Sequence, residues 1–193
     1  MGLSASAPWR KYYGATPASL EYPHKTMYEM IASAAKRKPD HVAYIFMGKK
    51  TTYSEFMKRI DAAAKGLYKM GIRKGDKVTI CMANTPQALD CFYGLNRIGA
   101  IPNMIHPLSA AQEIAFYLNA SHSRAILTLD QFYHKFEAIR QNVTLDNIIL
   151  ASIPDALSKP VRVGYMLTEG RKQAKIPKDA PVLRWNEFLR RGL

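Results

Sequence analysis

Two short turns hold the residues best placed to contact a ligand. Asn84-Thr85-Pro86 and His106-Pro107 each close an apolar run that reads as a strand. Open parallel sheets bind ligands outside the carboxyl ends of their strands, and both turns fall at such ends. Asn84 and Thr85 also open a helix, where unpartnered backbone N–H groups favour anions. Asn84, Thr85 and His106 are therefore the candidate substrate-binding residues. The same residues serve equally as helix caps and turn formers, and both readings stand.

Other catalytic signatures are missing. The 11 glycines are scattered, with no two within three residues of each other, so neither a P-loop nor a dinucleotide fingerprint can be drawn. His24, His41, His106, His122 and His134 lack metal-ligand spacing, and Cys81 and Cys91 add none. His122 and His134 read as surface residues. Ser109 has no neighbouring base and reads as a helix cap. No catalytic residue and no metal ligand is assigned.

The elements that position the two turns run from Gly71 to Leu129. Lys74-Gly75-Asp76 turns the chain into a strand over 77–82. A helix over 85–98 follows, with Ala88, Leu89, Phe92, Tyr93 and Leu95 as its buried face. Next come a short strand over 101–105, interrupted by Pro102 and so near an edge, a helix over 110–121 and a strand over 125–129. The fold class is α/β, a mostly parallel sheet with crossover helices on both faces.

Upstream, Thr26 caps a helix to Lys38 whose apolar stripe is Met27, Met30, Ile31 and Ala34. A hairpin over 42–52 turns at Gly48-Lys49. Thr52-Tyr53-Ser54-Glu55 is a capping box, and the helix it opens buries Phe56, Ile60, Ala63, Ala64 and Leu67, ending at Gly71. Ser109-Ala110-Ala111-Gln112 reads as a second capping box. Downstream, Asp130 caps a helix to about Arg140, and 147–151 is a further strand. From Ser152 the chain reads as a loop-rich connector broken by Pro154, Pro160, Pro177 and Pro181. A last short helix over 185–191 has nothing after it to bury it. Three regions result: an aromatic arm over 1–25 (Trp9, Tyr12, Tyr13, Tyr22), an α/β subdomain over 26–151, and the basic connector over 152–193.

With 193 residues the chain can bury about 70% of its unfolded surface. No apolar run approaches the ~20 residues of a membrane span, and the N-terminus lacks an export signal, so a cytoplasmic location is expected. Met1-Gly2 with Ser6 matches the N-myristoylation pattern, a match too short to carry weight. Two cysteines in a reducing compartment read as buried free thiols. The net charge is +13, and between Lys159 and Arg191 nine cations face three acids. Solvated cations at helix ends and turns account for such an excess, and so does an anionic partner. Aromatic residues are not interleaved with the basic clusters, which argues against nucleic acid. Membrane contact is at most peripheral.

Thr51-Thr52-Tyr53-Ser54-Glu55-Phe56, Gly71-Ile72-Arg73-Lys74-Gly75-Asp76-Lys77-Val78, Asn84-Thr85-Pro86, Gly99-Ala100-Ile101-Pro102 and Pro107-Leu108, in this order and spacing, resemble the N-terminal part of AMP-forming acyl-CoA synthetases. These belong to the adenylate-forming superfamily, and the resemblance covers roughly residues 9–150. It implies part of the large N-terminal domain of an enzyme that activates a carboxylic acid, medium- or long-chain fatty acids above all. ATP gives an acyl-adenylate, and coenzyme A then displaces AMP. ATP, Mg2+ and coenzyme A are the cofactors implied for the parent enzyme, and small molecules are its substrates. The family's Ser/Thr/Gly-rich ATP loop and catalytic lysine have no counterpart in this sequence. The chain alone is therefore expected to be an inactive fragment holding no cofactor, able to self-associate through surface left uncovered. The alternative is a stand-alone basic module that binds coenzyme A, acyl-CoA or an acidic protein.

Overall fold

The computed structural model describes residues 7–17, 19–170, 176–177 and 179–192. Met1-Gly2 with Ser6, and the Arg171-Lys172 pair, lie outside the described residues. Helix α1 (Met27–Arg37) starts at a full capping box: Thr26 Oγ1 accepts the Glu29 N–H at 3.1 Å, and Glu29 Oε2 accepts the Thr26 N–H at 2.7 Å. Its buried residue is Ala35, while Met27 and Met30 stand half exposed. The expected stripe is thus rotated towards the small residue, because α1 lies against the helices over Pro86–Arg97 and Tyr53–Lys69.

Strands β1 (Val42–Phe46) and β2 (Lys49–Thr52) form an antiparallel hairpin. Its turn is Met47-Gly48, one residue earlier than expected, with both φ angles positive at 45° and 79°; that geometry matches the twist of a two-residue hairpin. Helix α2 (Tyr53–Lys69) begins at the Thr52/Glu55 capping box, and all five residues assigned to its core face are buried. Gly71 follows with φ 89°, where a side chain would be strained.

The main sheet is parallel, in the order β4-β3-β5-β6-β7. It comprises β3 (Lys77–Cys81), β4 (Ile101–Met104), β5 (Ala125–Leu129), β6 (Asn147–Ala151) and β7 (Leu183–Arg184). Val78, Ile80, Leu127 and Ile149 point to one face, packed by α2, by α3 (Pro86–Arg97) and by the last helix, α7 (Trp185–Gly192). Cys81 and Ile126 point to the other, packed by α4 (Ala111–Ser121) and α5 (Tyr133–Ile139). Both faces are covered, as a parallel sheet requires. Both cysteines are buried and free, and burial pushes the Cys81 thiol up to about 11.

Five expectations change. Ser109 does not cap α4; the N-cap is Ala110, whose N–H is accepted by Glu113 Oε2 at 3.1 Å. Asp130 opens a 3-10 turn over Asp130–Phe132, and α5 begins only at Tyr133. On α3, Gln87, Asp90, Cys91 and Gly94 are buried and Leu89 is exposed, because the helix is sandwiched between the sheet and α2. Beyond Ser152 the chain is not simply loop: a 3-10 turn spans Ile153–Ala156, and α6 spans Lys159–Thr168. Pro160 sits in the first turn of α6, where a missing N–H costs nothing. Helix α7 is also buried, through Trp185, Phe188 and Gly192.

Candidate functional site

The connection from β3 runs to β4 on one side, and the connection from β5 runs to β6 on the other. The topological switch point therefore lies between the carboxyl ends of β3 and β5. Thr128 Oγ1 donates to the Cys81 carbonyl at 2.8 Å and ties these two strand ends together.

Asn84 and Thr85 leave β3 at this point. Thr85 is buried and its Oγ1 accepts the Ala88 N–H at 3.4 Å, so it works as the cap of α3. Asn84 is exposed beside it. His106 is at the end of β4, the neighbouring edge strand, and is also exposed. Its Nδ1 accepts the Leu108 N–H at 3.2 Å. In the neutral ring the proton then sits on Nε2, which offers a donor to a ligand. Lys135 Nζ holds this loop by donating to the carbonyls of Pro107 at 2.9 Å and Ser109 at 2.8 Å. The fold thus puts Asn84 and His106 at carboxyl ends of adjacent strands, but gives no contact between them.

A polar cluster that sequence reading passed over fills the carboxyl edge between β5 and β6. Ser152 Oγ donates to Asp130 Oδ2, and Asp130 Oδ1 accepts the Gln131 N–H at 2.8 Å. Asp155 Oδ2 accepts the Ser152 N–H at 2.9 Å, and its Oδ1 accepts from Asn186 at 3.1 Å. Gln87 Nε2 donates to the Ser152 carbonyl at 2.8 Å, while its buried Oε1 has no partner. Burial pushes the Asp155 carboxyl up from its ordinary value. The only sequence signal for this cluster was an acid or serine just past each apolar run, which is also what a cap looks like.

The chemistry of this edge is that of acceptors. Two carboxylates and a bare amide oxygen suit hydroxyl or amine donors and disfavour a free phosphate. No group of three or more His, Cys, Asp or Glu able to hold a metal occurs among the described residues. Hollows elsewhere include one of about 430 Å³ lined by His122, Arg124 and Asp146, one of about 470 Å³ lined by His24, Glu29 and Lys36, and one of about 180 Å³ between Phe136, Arg140, Val143 and Pro181, towards the amino end of β6. Another of about 260 Å³ is lined by Lys49, Thr51, Glu55, Lys58 and Arg59. Among the described residues no helix is long and apolar enough to cross a membrane.

Known proteins resemble this chain in sequence and in fold. The long-chain-fatty-acid–CoA ligase of Bacillus subtilis (strain 168) is 30% identical over 171 residues, which is 88% of this chain and 30% of that protein. The 4-coumarate–CoA ligase 3 of Arabidopsis thaliana is 36% identical over 98 residues, 51% of this chain and 18% of its own length. Among solved structures, the anthranilate CoA ligase AuaEII in complex with anthranoyl-AMP superposes with a TM-score of 0.71 at 17% identity, over 88% of this chain and 29% of that one. A long-chain-fatty-acid–CoA ligase (FadD1) from Archaeoglobus fulgidus gives 0.64 at 24% identity, over 68% and 28%. At these identities the structures bear on the fold alone. The chain spans about 30% of the length of the first of these relatives. A profile of the AMP-binding enzymes matches residues 31–183, from α1 to β7, and the chain belongs to that family.

Proposed function

We propose that this chain is the N-terminal part of an acyl-CoA ligase that activates a carboxylic acid, most suitably a medium- or long-chain fatty acid. The observation that carries this reading is the 30% identity to a long-chain-fatty-acid–CoA ligase across 88% of the chain. ATP with Mg2+ would supply the acyl-adenylate and coenzyme A the thiol that takes the acyl group. The residues described do not by themselves fit the nucleotide. They offer no glycine loop, the cap of α3 is occupied by Thr85, and Asp130 and Asp155 would repel phosphate. What this chain supplies is framework. The β3–β5 switch point and the latched His106 loop form one wall of a site completed by other residues, and Asn84 and His106 are the side chains offered to it.

The test is direct. The 193-residue chain is incubated with ATP, Mg2+, a series of fatty acids and coenzyme A, and pyrophosphate release is followed. No turnover is expected from this chain, and turnover is expected from a polypeptide that continues it with the ATP-binding region of a relative. Turnover by the chain alone would overturn the reading. The net charge of +13 favours one second reading, a stand-alone module for coenzyme A or acyl-CoA. Saturable, salt-sensitive coenzyme A binding by a native gene product that stops at Leu193 would establish it.

A further inference from the structure

The loop that leaves β4 is held by a side chain from another element. Lys135 sits on α5, whose buried face is Tyr133, Phe136 and Ile139, and it stands half-buried beside that face. Its Nζ lies 5.8 Å from the centre of the Phe132 ring and donates to the carbonyls of Pro107 at 2.9 Å and Ser109 at 2.8 Å. One ammonium carries three donors, so it can serve two carbonyls two residues apart, and its charge strengthens each bond. The Pro107 carbonyl matters most. Pro107 C=O and Leu108 N–H are the two ends of a single planar peptide unit. That N–H donates to His106 Nδ1 at 3.2 Å. Lys135 therefore grips one end of the peptide whose other end holds the His106 ring.

Two further bonds hold the loop, and both act on its backbone rather than on the imidazole. Ile105 N–H donates to the Ile80 carbonyl at 3.1 Å, and Ser109 N–H donates to the His106 carbonyl at 3.1 Å, closing the turn. Proline fixes its own φ, so a peptide released by Lys135 turns about Pro107 ψ and Leu108 φ. Such a turn carries the Leu108 N–H away from Nδ1. A carbonyl bonded to a cation also polarises the N–H of its own peptide, which strengthens the bond that N–H makes. An Nδ1 that accepts a hydrogen bond leaves the proton of the neutral ring on Nε2. We propose that Lys135 is a positioning residue: through the Pro107–Leu108 peptide it holds His106 as the Nε2–H tautomer, leaving that N–H for an acceptor oxygen of the substrate. The use of His106 in catalysis rests on the ligase reading; the coupling of Lys135 to the ring does not.

The 193-residue chain is labelled with nitrogen-15 and its imidazole signals are read by NMR at about pH 8, where an ordinary imidazole is neutral. His106→Ala identifies the signals of His106. The Nε2–H tautomer is expected to dominate in the parent. Lys135→Met keeps the length and loses the donors, and should raise the share of the Nδ1–H tautomer severalfold. Lys135→Arg keeps a charged donor and should stay near the parent. Should Lys135→Met misfold, Lys135→Gln, with a neutral donor, should show a smaller shift in the same direction. An Nδ1–H parent overturns the proposal, and so do Met and Gln variants whose His106 signals match the parent's. In a polypeptide that continues the chain with the ATP-binding region of a relative, Lys135→Met should lower kcat/KM about tenfold or more. The double variant K135M/H106A should be no worse than His106→Ala alone, because Lys135 acts through that ring. Losses that add in the double variant overturn the positioning role, as does parent activity in His106→Ala. A parent polypeptide that makes no acyl-CoA overturns the ligase reading instead, and the ring signals still decide the coupling.

Discussion

Asp90 has one carboxylate oxygen committed and one bare. Arg59 donates to Oδ2 through Nε at 2.9 Å and Nη2 at 2.7 Å, whereas Oδ1 is buried without a partner. Burial pushes this carboxyl up to about 6, with Arg59 only partly opposing it. The proton belongs on Oδ1, where nothing else satisfies the oxygen. The unfolded carboxyl ionises near its ordinary ~3.9, so between about pH 4 and 6 the folded chain holds more protons than the unfolded one. Stability from this group is therefore fully present below pH 4 and falls as pH rises towards 6. A shift of this size corresponds to about 3 kcal/mol. Asp90→Asn removes the titration while keeping an acceptor for Arg59. Urea unfolding of both proteins at pH 4.5 and 7 should show the parent losing stability relative to the variant as pH rises. Parallel pH profiles would show that Asp90 is not the titrating group.

Helix α7 shows why some elements are legible in sequence and others are not. Both capping boxes that hold up, Thr26/Glu29 and Thr52/Glu55, are local arrangements of four residues, and the second was read directly. The burial of α7 depends on two glycines far apart in the chain. A side chain at Gly66 on α2 would sit 2.8 Å from Phe188 Cε2 and 3.0 Å from the Phe188 carbonyl oxygen; one at Gly192 would sit 2.1 Å from the Ala62 carbonyl oxygen. Only a backbone approach that close lets Phe188 reach the core, and no spacing rule encodes it. Helix α6 was missed for a simpler reason: Pro160 looks like a breaker until its first-turn position is known. Alanine is a better helix former than glycine by about 1 kcal/mol, yet Gly66→Ala should destabilise by about 1–3 kcal/mol through overpacking. Phe188→Ala should cost about 3–5 kcal/mol. The double variant should be less unstable than the sum, because removing the ring frees space for the new methyl. Chemical denaturation of the four proteins gives the coupling directly, and simple additivity would mean that α7 does not press on α2.

Four strands of the sheet, β3 to β6, were readable because each lies in an apolar run closed by a turn, whereas the two-residue β7 fell in what reads as connector and was not. The candidate site was readable only in part. Asn84 and His106 could be placed at strand ends, but the Asp130, Ser152, Asp155 and Gln87 cluster joins residues from separate elements, and only register brings them together. The same register decides how the molecule ends at β4. Ile101 N–H donates to the Asp76 carbonyl at 2.8 Å and Ile105 N–H to the Ile80 carbonyl at 3.1 Å, so odd-numbered residues pair with β3 and even-numbered ones face outward. Pro102 and Met104 are the outward pair. Pro102 has no N–H to offer, so the open edge presents one donor where two would stand, which is how natural sheets blunt an edge. That protection matters because Ile101, Met104 and Leu108 are exposed at and just beyond this edge. Pro102→Val restores the missing donor and adds a β-branched side chain. Its thermal stability should change little, because residue 102 donates nothing to β3. Its sedimentation at rising protein concentration should shift to larger species than the parent, and Met104→Lys added to it should reverse the shift. If Pro102→Val sediments like the parent throughout, the edge is guarded by something other than its proline.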